Sequence, residues 1–259
     1  MLNLKEIENA YPENLRKFRR FILREYLQYK ILEIVFVSEF SDKLCFMGGT
    51  CLRIVHNNNR FSEDLDFDNF ELDQKQFDRI AGIVENKLTK EGYQVEIATA
   101  HRAAYRCTIK FPKLLYNEGL SGHAEEEILI QLDTETQHFD FKPDSTILNK
   151  WDVFTRIFFT PPDLLLSQKI YAILNRPRSK GRDFYDILFL LNKTKPNFDF
   201  LKVKVGIKNS DELKQRILDR CRETDMQEMA NDVSSFLIKP EEKNNILLFP
   251  DFIKQVKFD

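Results

Sequence analysis

Aspartates alternate at positions 64, 66 and 68, inside the stretch FMGGTCLRIVHNNNRFSEDLDFD that begins at Phe46. Alternate side chains of a strand share a face, so Asp64, Asp66 and Asp68 point one way while Leu65 and Phe67 point into the core. Carboxylates crowded on one face raise one another's pKa, a cost that a cation relieves. Hard oxygen donors at this spacing suit Mg2+, which keeps waters and shares substrate phosphates. Taken alone, the row has a plainer reading as an exposed edge strand guarded by its own charge.

The upstream residues shift that balance. Gly48 and Gly49 are adjacent in a chain with only 8 glycines among 259 residues. Such a turn lets a backbone approach a ligand closely, and a helix starting at Thr50 would aim its free N–H groups at the turn, making an anion site. A tight turn explains Gly-Gly by itself. The order GGT, LR and RxSxDxD in one stretch is more specific: one element cradles a triphosphate and the next strand supplies the metal that bridges it. Nucleotidyl transfer needs positioning, metal ions and positive charge on the departing pyrophosphate. A third carboxylate from another strand completes a two-metal site. Asp133, at the end of ILIQLD, is the candidate, and Glu135 shares its face; otherwise Asp133 is a strand end facing water.

These residues need a scaffold. Apolar residues at helical spacing (Leu15, Phe18, Phe21, Ile22, Tyr26, Ile31) predict a helix from Glu13 to about Phe40. Arg16, Arg20 and Arg24 line one face of it, read as a solvated face in preference to a nucleic-acid contact. A strand over Leu44–Met47, a short helix carrying Leu52 and Val55, a strand over Leu65–Phe70 and an amphipathic helix over Asp73–Lys90 follow. The segments YQVEIATA, AYRCTIKF and EEILIQLD then alternate with period two. Strands interleaved with helices imply an α/β (α+β) mixed sheet. After Thr160 the pattern is helical, opened by Pro161-Pro162-Asp163 and running to Asn175, and again through RDFYDILFLL, SDELKQRILDRC and TDMQEMANDVSSFLI. The expected organisation is an N-terminal helical segment packed on the core over 1–40, an α/β domain over 41–158 and a mostly helical domain over 159–259.

Composition bounds the partners. A net charge of −2 and a pI near 6.2 exclude a protein that coats nucleic acid nonspecifically. Cys45, Cys51, Cys107 and Cys221 form no CxxC pair, which suits thiols in a reducing cytosol. The charged N-terminus lacks a signal-peptide core, and no apolar run approaches the ~20 residues that span a bilayer. A cytoplasmic protein with no membrane association is expected. His56, His101, His123 and His138 are dispersed and receive no role.

GGTCLR…RFSEDLDFD, followed by LLLSQKIYAILNR…GRDFYD, resembles the AbiEii/AbiGii toxin family over roughly residues 40–195. These are polymerase-β-like nucleotidyltransferases of type IV toxin–antitoxin and abortive-infection systems, related to the mycobacterial MenT toxins. The resemblance implies that Gly48, Gly49 and Thr50, with Arg53 and Ser62 of the same motif, hold an NTP, and that Asp64 and Asp66 bind Mg2+. It matches the family's phosphate-holding helical lysine to Lys169 and its RDxxD element to Arg182, Asp183 and Asp186, with Asp183 in a catalytic role. Where the family often has a lysine before the third acidic residue, this chain has Gln131. Without the resemblance, Lys169 reads as a lysine snorkelling from an apolar stripe. Asp183 and Asp186 share a helical face and can pair with Lys169 or Arg182, or activate the acceptor. Arg176, Arg178, Lys180 and Arg182 read as a solvated turn, or beside a nucleotide site as a grip on an RNA backbone.

The leading expectation is therefore a Mg2+-dependent nucleotidyltransferase toxin acting on RNA, foremost tRNA 3′ ends, and restrained by a cognate antitoxin. The alternatives are a small-molecule acceptor such as an antibiotic, and a catalytically silent nucleotide- or partner-binding domain.

Overall fold

Period-two alternation is realised as strands β1 (Leu44–Met47), β2 (Leu65–Asn69), β3 (Glu96–His101), β4 (Tyr105–Phe111), β5 (Ile128–Glu135), β6 (Asp144–Lys150) and β7 (Val153–Phe159). They form one mixed sheet in the order β3-β4-β5-β2-β1-β7-β6. The computed structural model describes residues 2–101 and 104–258. β2 runs parallel to β5 and antiparallel to β1, so it is an interior strand. That removes the edge-strand reading of its aspartates.

The chain divides into two units. One comprises Met1–Cys51, Ser62–His138 and Lys142–Phe159; the other comprises Leu52–Phe61, Phe139–Phe141 and Thr160–Asp259. Residues 52–61, assigned from the sequence to the α/β domain, thus pack with the C-terminal helices.

In the first unit, helices α1 (Leu4–Asn9), α2 (Arg19–Val37), α4 (Gln74–Lys90) and α5 (Leu114–Asn117) accompany the sheet; α3 (Gly48–Ile54) follows β1 directly, and its residues from Leu52 on belong to the second unit. Phe36 of α2 meets Phe67 of β2, with ring centroids 6.1 Å apart, and Phe77 of α4 meets Tyr105 of β4 at 5.5 Å. Tyr105, Thr134 and Phe67 are cross-strand partners, so α2 and α4 cover the same face of the sheet. Asp66, one residue from Phe67, lies on the opposite face. α4 starts with a capping box between Asp73 and Gln76, as its sequence suggests.

Two expectations are corrected, and one element is new. The long first helix begins at Arg19, because the chain behind Pro12 makes a separate 3-10 turn over Glu13–Leu15. Thr50 is not a cap, since α3 begins at Gly48, whose φ of +76° turns the chain directly out of β1. The β6–β7 hairpin has no glycine signal in its sequence, since its turn instead places Trp151 at φ +58°.

The second unit contains α6 (Pro162–Asn175), α7 (Gly181–Leu191), α8 (Phe198–Val205), α9 (Ser210–Arg222), α10 (Met226–Ser234), α11 (Asn244–Leu247) and α12 (Phe249–Gln255). Residues 59–61 pair with 236–238 like a short antiparallel ribbon: the Phe61 amide donates to the Phe236 carbonyl at 2.8 Å and the Ile238 amide to the Asn59 carbonyl at 3.2 Å. Among the described residues no helix is long and apolar enough to cross a membrane.

Candidate active site

The segment before β2 is held from two sides. Gln28, buried on α2, donates through Nε2 to the carbonyls of Ser62 at 3.1 Å and Glu63 at 2.9 Å. Thr50, also buried, donates its hydroxyl to the Asp64 carbonyl. Arg24 of α2 pairs with Glu63 at 2.6 Å and Arg20 with Glu126, so the arginine face of that helix meets carboxylates of the same unit. These contacts fix the main chain at Asp64 and hence the register of Asp66.

Gly48 is the next constraint. A Cβ there would fall 2.1 Å from Asp66 Oδ2, far inside van der Waals contact. The Asp66 carboxylate therefore rests against the main chain of the Gly-Gly turn, and only glycine permits both that approach and the positive φ. Cys51 lies close behind. Burial, with Cys45 and Asp66 nearby, pushes its thiol pKa well up, so it stays neutral. Asp68 is buried and accepts the Gln137 amide at 2.9 Å, a structural use of the last aspartate of the row.

Across the sheet, Arg106 is the cross-strand partner of Asp133, and Asp133 is the partner of Asp66. The three side chains form one rung on one face. Arg106 grips Asp133 with both arms of its fork, Nε to Oδ1 at 2.9 Å and Nη2 to Oδ2 at 2.8 Å. The hydrogen bond to Asp133 and its charge, followed by the charges of Asp64 and Asp66, raise the Arg106 pKa above its ordinary value. Among the described residues, no three His, Cys, Asp or Glu side chains gather as a metal site. The expected trio of Asp64, Asp66 and Asp133 is thus not assembled, because Asp133 is turned to Arg106. Glu135 is exposed and aligned with Asp68, not with Asp66. Asp64 and Asp66 are the carboxylates of this face that could hold a Mg2+ ion, which takes one or two carboxylates from a protein when phosphates and water supply the rest.

In the second unit, Lys169 of α6 lies 2.9 Å from both Asp183 Oδ1 and Asp186 Oδ2 of α7. It does not snorkel: its side chain is only 14% exposed. Burial opposes its charge, but Asp183 and Asp186 outweigh burial and hold its pKa above that of an ordinary lysine. Asp186 also receives Arg60 Nε at 2.7 Å, Arg60 Nη2 at 2.6 Å and Asn58 Nδ2 at 2.9 Å. Burial raises the Asp186 pKa, yet Arg60 and Lys169 overcome it and leave the carboxyl below its usual range.

Arg176 pairs with Asp183, and Arg178 with Glu228 at 3.3 Å. Arg182 stacks over Phe236, 4.6 Å from the ring centroid, and Lys180 precedes α7. Arg53 donates to the Asn58 carbonyl at 2.9 Å and covers Phe61. Two residues of these clusters escape sequence reasoning. Arg60 stands inside the RxSxDxD motif but gives no sign of its partner. Arg106 looks like any polar residue on an alternating strand, and only the strand order places it beside Asp133.

The family model described as nucleotidyl transferase AbiEii toxin, type IV TA system, matches residues 30–252. Among solved structures, the chain is similar to JHP933 from Helicobacter pylori, with 18% identity and a TM-score of 0.54 over 91% of this chain and 92% of that one. It is also similar to a candidate nucleotidyltransferase from H. pylori, with 17% identity and a TM-score of 0.53 over 93% of this chain and 99% of that one. At such identities the likeness concerns the fold. A search of curated proteins found no match.

Proposed function

Because this chain belongs to the family of AbiEii nucleotidyl transferase toxins of type IV toxin–antitoxin systems, we propose that it transfers nucleotides from an NTP to RNA, at tRNA 3′ ends, with Mg2+ held by Asp64 and Asp66. Membership makes the chain a nucleotidyltransferase toxin, with an NTP as substrate and an antitoxin as partner. The metal and the RNA acceptor are the further step.

The observation that carries the reading is the seat of Asp66 against the Gly48 main chain, where a Cβ would come within 2.1 Å of Oδ2. A carboxylate pair and a glycine turn brought that close form a single surface. It suits a triphosphate whose oxygens meet the backbone on one side and a cation on the other. Mg2+ bound there supplies the positive charge that phosphoryl oxygens need at transfer. The chain's own work is positioning. Gln28 and Thr50 hold the Ser62–Asp64 main chain, the glycines admit the phosphates, and Asp64 and Asp66 keep their charge toward the same face. Asp183, Asp186 and Lys169 hold α6 to α7.

The test is incubation of the purified protein with each α-labelled NTP, Mg2+ and total cellular RNA. Label in tRNA-length product, lost on chelation with EDTA, is expected. Label that enters only a small molecule, or that never leaves the NTP, overturns the RNA acceptor.

A further inference from the structure

The rung Arg106–Asp133–Asp66 has a feature that the transfer reaction does not call for. Three carboxylates on neighbouring positions invite a divalent cation, and ligand charge count is a main determinant of how tightly such a site binds. Here one of the three is withdrawn. Asp133 is one strand from Asp66, a spacing of about 4.8 Å between backbones. Both of its oxygens are engaged by the Arg106 fork at 2.9 and 2.8 Å. Arginine stays charged at any working pH, so the fork also places a fixed positive charge on the same face as Asp66.

We propose that Arg106 is a positioning residue that restrains metal binding: by engaging both oxygens of Asp133 and adding its own charge to the rung, it keeps the free protein a weak, two-carboxylate site. This rests on the reading of Asp64 and Asp66 as metal ligands. The pair is suited to being opened. The Arg106 side chain is 53% exposed and that of Asp133 25%, and an ion pair so wetted is held only weakly. An anion that competes for the guanidinium, such as a phosphate group, frees Asp133 at the moment a cation arrives with it. The metal is then taken up together with the triphosphate, and the free protein does not stay loaded.

The alternative is an ordinary cross-strand ion pair that steadies β4 against β5. The two differ in one readout, the affinity of the nucleotide-free protein for a divalent cation. Mn2+ titrated into the full chain and followed by the EPR signal of the free ion measures it, with a thermal melt of each variant alongside. Arg106→Gln is expected to bind Mn2+ about tenfold more tightly than the unaltered chain, since one positive charge is gone and a third carboxylate is released. Arg106→Lys is expected to fall between them, because a point charge remains but the two-armed grip does not. It carries the same test if the glutamine variant proves unfolded. Arg106→Gln/Asp66→Asn is expected to lose the gain. Equal or weaker Mn2+ binding in the single variants overturns the role of Arg106 and leaves the Asp66 reading standing. Undiminished tight binding in the double variant puts the cation elsewhere, and both readings then fall.

Discussion

Arg60 and Asp186 are 126 residues apart, yet they form a two-armed ion pair with contacts of 2.7 and 2.6 Å, and their side chains are 2% and 0% exposed. Asn58 and Lys169 complete the shell around the carboxylate. Such a cluster is stable only when each buried charge is paired, because a buried charge left alone costs several kcal/mol. The segment of residues 52–61 is tied to α7 through it.

Asp186→Ala leaves Arg60 and Lys169 buried without a full counter-charge. A loss of about 3–5 kcal/mol in unfolding free energy is expected, and Arg60→Ala should cost a similar amount. The double variant should lose less than the sum, since the two act on one interaction. Denaturant unfolding of the four proteins measures the cycle; additive losses would show that the pair is not coupled.

The same carboxyl sets a pH dependence. Its folded pKa lies below the unfolded value of about 3.9. Between the folded pKa and that value the unfolded chain binds the extra proton, so stability rises with pH there. The contribution is fully present above the unfolded pKa and is lost as pH falls through the folded one. Lys169, whose folded pKa lies above that of an ordinary lysine, acts oppositely: its contribution is present below about 10.4 and lost as pH rises through the folded pKa. Asp186→Asn should therefore flatten the acid limb of the stability curve. Parallel acid limbs for the two proteins would remove Asp186 from it.

What was legible in the sequence is what lies close together along it. Gly48, Asp64 and Asp66 fall within one short stretch, where a strand period and a glycine turn suffice to bring them to one place. Helical spacing alone puts Asp183 and Asp186 on one face, whereas the burial of Lys169 beside them is not local information, and its apolar stripe reads as snorkelling. Arg60–Asp186 and Arg106–Asp133 were illegible for the opposite reason. The first depends on residues 52–61 packing with the C-terminal helices, and the second on β4 lying beside β5, which local periodicity does not encode. The withdrawal of Asp133 from the carboxylate trio follows from that strand order.

Gly181, at the start of α7, tests how tightly that helix is packed. A Cβ there would fall 1.9 Å from the Met229 carbonyl oxygen of α10, a backbone atom that cannot swing aside. Its amide meanwhile donates to Asp232 at 2.8 Å. Gly181→Ala should cost about 1–3 kcal/mol by overpacking, despite alanine's better helix propensity. A variant as stable as the parent in a thermal melt would mean that α7 and α10 separate easily.

At Gly48 the constraint is functional as well as steric. Gly48→Ala must place a Cβ on the Asp66 carboxylate and hold a left-handed φ of +76°. The φ alone costs about 1–2 kcal/mol, and the clash should displace Asp66. Weaker NTP binding in a folded variant is expected by equilibrium titration. Unchanged affinity would reduce the turn to a structural device.

The last prediction separates chemistry from stability at Asp66. Its carboxylate shares a cross-strand rung with Asp133 and Arg106, which pair with each other, and it follows Asp64 on the same chain. Asn keeps the size of the side chain on a rung that already holds both signs of charge, so Asp66→Asn should melt close to the parent temperature. Its transfer activity should fall by at least about two decades, since metal-borne charge stabilisation is worth several kcal/mol. Asp64→Asn should behave alike, and excess Mg2+ should restore either variant only in part. A purely structural role predicts the reverse pattern, with a lowered melting temperature and transfer that persists in whatever fraction remains folded. Labelled-NTP transfer normalised to folded protein, beside a thermal melt, distinguishes them. Full transfer by Asp66→Asn, or indifference of the parent to EDTA, would end the metal assignment.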